Sequence, residues 1–332
     1  MTDNNGWMLL DILDRRHPGV VMVGNRVKQG VSWRSVVRRN HDEILATVLR
    51  SCRTKTATTV QTARSRQISA VPVVERVHTL VHGVWVCTHE PSTPPPAHPP
   101  TWAFLWDLDD GSAVRSEAVG VDWHWADIGV PVRRPIADAM RQVDLEQMTT
   151  KALALLASKL DGSVHRQTVV EHRPDDDHKV HFVARMMKSG TQHDCAARFV
   201  RGLSVDLGRP QSVPEPSTNL GDRIADALTP QLQYRAIADP VSLNLLYWHG
   251  PPAPRIAWTA GNTAQKPVLH PQDMPAALAA AQSLIGAGPA KTVELTARFL
   301  TLDDKYEPIH MTASLIDLDS GARALLVVLC VE

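Results

Sequence analysis

The chain has 332 residues, of which 43% are hydrophobic and 21% charged, and its formal net charge is zero. That length allows two to three domains with packed cores, and the balanced charge excludes the whole-chain basic signature of a nucleic-acid binder. Four scattered cysteines, Cys52, Cys87, Cys195 and Cys330, form no CxxC pair, and no run reaches the roughly 18 apolar residues of a membrane span, so a protein of the reducing cytoplasm is expected.

The polar start, Met1-Thr2-Asp3-Asn4-Asn5, lacks the basic and apolar regions of a signal peptide. Residues 7–13 and 19–23 read as strands around a turn at His17-Pro18-Gly19. Ser32 is placed to cap a helix over 33–40. Asp42 is placed to cap another running to about Ser51, with Ile44, Leu45, Val48 and Leu49 as its apolar stripe. Strands follow near 57–61, 67–74 and 82–88. Strands, then helices, then hairpin-like strands describe an antiparallel sheet with helices on one face. From Arg26 to Arg66, ten Lys or Arg stand against two acids, Asp42 and Glu43. The simple reading is a solvated basic face. The sharper one is a patch of Arg34, Arg38, Arg39, Arg50 and Arg53 that docks an acidic partner or a phosphate backbone.

Residues 91–100 contain six prolines, which neither donate to a ladder nor continue a helix, so this segment reads as an extended spacer after a first domain over 1–90. A second domain over 101–208 opens with a strand at 102–108, a turn at Asp109-Asp110-Gly111 and a strand at 112–119. Apolar residues from Ile136 to Leu156 predict a helix over 136–160, ended by Asp161-Gly162. Strands at 164–172, 179–188 and 195–207 close the domain. A second proline-containing linker spans 209–218. The last domain, 219–332, opens with a helical stretch over 221–238, followed by strands near 243–248 and 255–259 and an Ala-rich helix from about Met274 to Ile285. Strands at 291–302, 306–317 and 322–331 end it, joined by Asp-rich turns.

The three segments share a signature. A Gly followed by an apolar run occurs at Gly83, Gly202 and Gly321, at equal intervals (202 − 83 and 321 − 202 are both 119). The expected fold class is α+β: three tandem domains, each an antiparallel sheet with helices packed on it.

Ala297-Arg298-Phe299-Leu300-Thr301-Leu302-Asp303-Asp304-Lys305-Tyr306-Glu307-Pro308-Ile309-His310-Met311-Thr312-Ala313 resembles the last strands of a PAS domain, where a long strand, a polar turn and another long strand back a ligand-sized pocket. The first segment resembles a PAS domain through Ile68-Ser69-Ala70-Val71-Pro72-Val73 and Val81-His82-Gly83-Val84-Trp85-Val86. The middle one looks like the related GAF fold or a third PAS-like unit. The whole chain resembles the actinobacterial, mycobacterial-type PAS-GAF-PAS signalling proteins. That resemblance implies signalling without an output enzyme and hands over no catalytic residue.

Walker A, GxSxG, HExxH and kinase motifs are absent from the sequence. The densest titratable cluster is His172, Asp175, Asp176, Asp177, His178 and His181. In a strand, His178 and His181 leave opposite faces, so a polar hairpin loop explains the cluster better than a metal. Trp123-His124-Trp125 admits a haem-type site and, more simply, a loop packed by two tryptophans. Cys195 beside His193 and Asp194 is a weak nucleophile candidate, because triad groups converge in space and not in sequence. The candidate ligand pockets are generic. Trp102, Phe104, Trp106, Trp123, Phe182, Met186 and Phe199 serve the middle domain; Leu245, Tyr247, Trp258, Phe299 and Met311 serve the last. The same residues would equally build closed cores.

The expectation is therefore a non-enzymatic cytoplasmic sensor or scaffold. It needs no cofactor and no metal, takes a small molecule in one unit, and acts through protein partners or a homodimer. No membrane or nucleic-acid partner is expected. The alternatives are a metal-dependent enzyme using the His/Asp cluster, and a nucleic-acid-associated regulator using the basic N-terminal domain.

Overall fold

Alternation decides how the first sheet is used. In Trp7-Met8-Leu9-Leu10 and Val84-Trp85-Val86-Cys87, successive side chains leave opposite faces of a strand, yet all eight residues are buried. Both faces must be covered. The structure, a computed structural model that describes residues 6–14, 17–37, 40–144, 149–157, 160–189, 197–211, 232–260 and 266–331, shows what covers each.

Strands β1 (Met8–Asp11), β2 (Gly19–Val23), β3 (Arg26–Ser32), β4 (Thr58–Gln61), β5 (Gln67–Val74) and β6 (Val81–His89) pair antiparallel in the order β3-β2-β1-β6-β5-β4. Helices α1 (Trp33–Val36) and α2 (His41–Thr54) link β3 to β4. One face, through Met8, Leu10, Ile68, Val84 and Val86, packs on Trp33, Ile44, Val48 and Cys52. The opposite face, through Leu9, Met22, Val73 and Trp85, lies on Ala103, Val183, Leu203 and Val205 of the second sheet. The buried stripe of α2 is Ile44, Thr47, Val48, Ser51 and Cys52, while Leu49 is exposed. The helix starts two residues earlier than expected, after Asn40, so Asp42 sits inside its first turn and favours the positive end of the dipole.

The proline segment is not a free spacer. The Trp7 indole donates to the Pro96 carbonyl, and the His98 ring stacks on Trp85 with centroids 4.9 Å apart. Trp85 Nε1 donates to Thr101 Oγ1 at 3.0 Å, which ties the first sheet to the opening residue of the second.

The second sheet contains β7 (Thr101–Asp107), β8 (Ser112–Arg115), β9 (Arg133–Pro135), β10 (Val143–Asp144), β11 (Val164–His172), β12 (Asp177–Ser189) and β13 (Ala197–Asp206), in the order β10-β11-β12-β13-β7-β8-β9. The expected helix over 136–160 is two helices, α3 (Ile136–Arg141) and α4 (Thr149–Leu156). Between them Val143 and Asp144 pair with Glu171 and Val170, and the His172 N–H donates to the Gln142 carbonyl at 2.7 Å. The open edge of β11 competes for this backbone and overrides the apolar periodicity.

The third sheet contains β14 (Gln233–Ala238), β15 (Leu245–His249), β16 (Thr292–Leu300), β17 (Tyr306–Asp317) and β18 (Arg323–Cys330), in the order β15-β14-β18-β17-β16. Residues 221–231 of the expected opening helix lie outside the described residues, and 233–238 are a strand, paired on both sides. The second expected strand is a single bridge, Ile256 to Thr301. Helix α5 (Met274–Ala287) packs on β16 and β17.

The three sheets share one arrangement. In each, the first strand lies between the second and the last, and the last two hairpins run outward from it. Gly83 lies in β6, Gly202 in β13 and Gly321 in the turn entering β18, so the repeated signature marks the last strand of every unit. The second and third units meet through Asn244, whose amide donates to the carbonyls of Leu108 and Asp109 at 3.1 and 3.0 Å, and through the ion pair of Arg198 with Asp239.

His82 crosses the first interface. Its Nδ1–H donates to the Gly202 carbonyl at 2.8 Å, and burial pushes its pKa down to about 4. The neutral ring is the form that folds. Its contribution is therefore complete above about pH 6.5 and is lost as the pH falls towards 4, a difference of about 3 kcal/mol. His82→Asn should flatten the acid limb of the stability profile, read as urea midpoints from pH 7 to pH 4; an unchanged slope would exclude His82 as its source.

Candidate functional site

Among the described residues one apolar cavity lies in the middle unit and another in the last. In β7, period-two alternation sends Trp102, Phe104 and Trp106 to the face that carries α3 and α4. With Phe182 of β12 and Leu155 and Leu156 of α4 they wall a cavity of about 90 Å3. Gly202 is what lets the tip of the Phe104 ring approach β13, since a Cβ there would stand 1.9 Å from Cζ.

One end of this cavity is charged. Arg115, Arg134 and Glu171 line it, and all three are buried. Arg115 Nη2 donates to Glu171 Oε1 at 2.9 Å, and Arg173 reaches Glu171 Oε2 at 3.1 Å and Asp206 Oδ2 at 3.0 Å. Asp206 accepts from His178 Nδ1 at 2.8 Å, and His178 Nε2 faces Asp176 at 3.1 Å. Trp125, fully buried, has two guanidinium groups near its ring, Arg115 at 4.7 Å and Arg173 at 5.4 Å from its centre. Burial alone would raise the Glu171 carboxyl, but Arg115, Arg173 and Arg134 hold it below the usual range. Burial, and then the Arg115 charge, push Arg134 down to about 9.

The last cavity, about 160 Å3, has a simple cause. Helix α5 reads Met274-Pro275-Ala276-Ala277-Leu278-Ala279-Ala280-Ala281, and alanines at 277, 280 and 281 face the sheet with little side-chain volume. Leu245, Trp258, Phe299 and Met311 complete much of the wall. Gly111 and Pro135 of the middle unit also border it.

Among the residues expected from sequence, Trp102, Phe104, Trp106 and Phe182 line the middle cavity and Leu245, Trp258, Phe299 and Met311 the last. The others stand elsewhere. Trp123 packs edge-on against Trp125 at 4.9 Å, and Met186 is fully buried in the sheet core. Phe199 leaves the opposite face of β13, where its ring meets His78 of the first unit at 5.3 Å. Tyr247 packs on the core of the middle unit. The charged end formed by Arg115, Arg134 and Glu171 escaped the sequence reading. The available signal was parity: Val169 and Glu171 share one face of β11, so an inward Val implies an inward Glu.

The His/Asp cluster disperses into ion pairs. His172 bonds Asp177 at 2.8 Å at the hairpin end, His178 sits between Asp176 and Asp206, and His181 is buried with Nδ1 on Thr168 Oγ1 at 2.9 Å. Among the described residues no group of three or more His, Cys, Asp or Glu is arranged to hold a metal. His124 is exposed and faces Glu117 at 3.5 Å. His193, Asp194 and Cys195 lie outside the described residues, as do Arg38 and Arg39 of the basic patch. Arg34, Arg50 and Arg53 are exposed on α1 and α2. No helix among the described residues is long and apolar enough to cross a membrane.

The three-sheet arrangement is found in a crystal structure of an uncharacterized protein from Mycobacterium tuberculosis, with 22% identity, 99% of this chain and 96% of that chain covered, and a TM-score of 0.79. Looser overlaps involve an RNA-binding Light-Oxygen-Voltage receptor (12% identity, 70% of this chain and 95% of that chain, TM-score 0.23) and the periplasmic sensory domain of the Campylobacter jejuni chemoreceptor Tlp1 (10% identity, 70% and 72%, TM-score 0.21), and carry no argument. No curated protein matches the chain. Two family models do match: residues 6–97 fit "Rv3651-like, N-terminal" and residues 218–331 fit "Rv3651-like, C-terminal domain". The chain thus carries both domains of the Rv3651-like family, in that order, on either side of the middle sheet.

Proposed function

We propose that this chain is a non-enzymatic cytosolic sensor or scaffold of three PAS/GAF-like units, which takes small apolar molecules in its middle and last units and answers through a protein partner or a second copy of itself. The observation that carries the reading is β9. Arg134 lines the middle cavity, and its neighbour Pro135 lines the last. A strand three residues long is thus a shared wall, and a shift forced by a ligand on one side is felt on the other. Arg141 of α3 adds a second link, its guanidinium 5.7 Å from the centre of Trp258 in the wall of the last cavity. The PAS-like reading draws on the helices inserted between the opening strands and the closing hairpins of each sheet, which leave a cavity between sheet and helix in two of the units.

The last cavity is close in size to the roughly 150 Å3 cavity that accepts benzene in a well-studied case. Toluene should therefore raise the melting temperature of the wild-type chain by about 2–4 °C, the shift that about 1 kcal/mol of binding gives a domain of this class. Ala281→Leu, which fills the gap beneath α5, should abolish that shift. A wild-type chain indifferent to toluene would remove the last unit as a ligand site.

A further inference from the structure

Much of the charge buried in the middle unit is matched, and the guanidinium of Arg134 contacts no carboxylate among the described residues. Arg115 has Glu171, and Arg173 has Glu171 and Asp206. Arg134, only 8% exposed, donates to the neutral amide oxygen of Gln142. The charges acting on it are Arg115, which repels it, and Glu171 and Asp138, which attract it, and Glu171 already serves two other arginines. Close by, Arg115 Nη1 is buried without a hydrogen-bond partner. Three guanidinium groups thus share Glu171 and Asp206 as their contacting carboxylates, with Asp138 acting on Arg134 without a direct ion pair, and two of the three line the cavity. A buried cation without a counter-ion is destabilising, so a site that retains one is shaped for an anion supplied from outside.

We propose that the middle cavity binds a small aromatic monocarboxylate, with its carboxylate on Arg134 and the free nitrogen of Arg115 and its ring among Trp102, Phe104, Trp106 and Phe182. This rests on the reading of the middle unit as a ligand site. The planar fork of arginine matches a carboxylate in two-point contact. Arg134 is the guanidinium of this group without a carboxylate in direct contact, and one carboxylate supplies that contact. The volume of about 90 Å3 is smaller than the roughly 150 Å3 that accepts benzene, so a guest of one ring enters only as the wall gives way. The Gln142 amide oxygen occupies the place on Arg134 that a carboxylate oxygen takes, and this half-buried side chain can withdraw towards solvent.

The test uses the full chain at pH 7 with benzoate and its neutral isostere benzamide, followed by calorimetry and by the indole N–H signals of Trp102 and Trp106. Benzoate should bind at least about tenfold more tightly than benzamide and shift both indoles. Arg134→Met should bring benzoate down to the benzamide level and leave benzamide unchanged, while Arg134→Lys recovers part of the preference. Without ligand, Arg134→Met should melt higher than wild type, because it removes an unmatched buried charge; that readout also establishes that the variant is folded. Equal binding of the two compounds by wild type, or a benzoate preference that survives Arg134→Met, overturns the inference and leaves the cavity standing as a site for neutral guests. Failure of both compounds to bind overturns the inference and removes the middle cavity as a ligand site with it.

Discussion

Glu171→Gln should cost the folded chain about 3–5 kcal/mol, the usual penalty for removing one partner of a buried ion pair. The substitution barely changes the shape of the side chain. What it removes is the charge that Arg115 and Arg173 both contact, at 2.9 and 3.1 Å. Arg115 would then lose its paired carboxylate, Arg173 would keep only Asp206, and the two cations beside Trp125 would have less anionic compensation. The double variant Glu171→Gln with Arg115→Met should recover much of the loss, since taking out the second partner relieves the imbalance. Chemical denaturation of the single and double variants checks this. A Glu171→Gln chain within about 0.5 kcal/mol of wild type would mean that the network is hydrated and its charges are screened.

Trp85→Ala should be the second large loss, about 3–5 kcal/mol from packing alone. Trp85 is fully buried between the first and second sheets, and its position does three things. Its ring fills the interface formed with Leu203 and Val205, its Nε1 donates to Thr101 Oγ1, and its face stacks on His98. The variant should therefore do more than lower a midpoint. It should release the proline segment, so that limited proteolysis cuts within residues 91–100 faster than in wild type. Val77→Ala, at an exposed site, should change neither property by a measurable amount. A Trp85→Ala chain that loses stability but keeps a protected 91–100 segment would show that the segment is held by its other contacts, among them Trp7 on Pro96, His89 on Thr93 and Asp206 on Pro100.

Much of the architecture could be read from residue order, for physical reasons that also mark where the reading stopped. The three closing strands of the last unit were legible because β-branched and apolar residues run between Asp-rich turns, and no competing periodicity is present. The helix over 136–160 was overextended because Ile136, Met140 and Val143 keep a helical spacing right up to the point where the edge of β11 captures Val143. β3 went unseen because Arg26 and Lys28 read as surface charge, although an edge strand is where such residues are expected. The aromatic wall of the middle cavity was legible from the alternation in β7. Phe199 was misplaced because the side of β13 that faces the cavity depends on register with its neighbours, and one residue of difference sends a side chain to the other unit. The charged end of the cavity draws on β8, β9 and β11, and only the folded sheet brings Arg115, Arg134 and Glu171 together.

The most direct test of the sensor reading is native mass spectrometry of the full chain, as purified and after incubation with toluene and benzoate, against the same samples denatured. The proposed cavities predict one or two small molecules retained per chain in the native spectrum and released on denaturation, with the toluene adduct absent from Ala281→Leu and the benzoate adduct of Arg134→Met reduced to the level seen with benzamide. A bare chain mass under every native condition would contradict the account and leave the three units as a scaffold with closed cores.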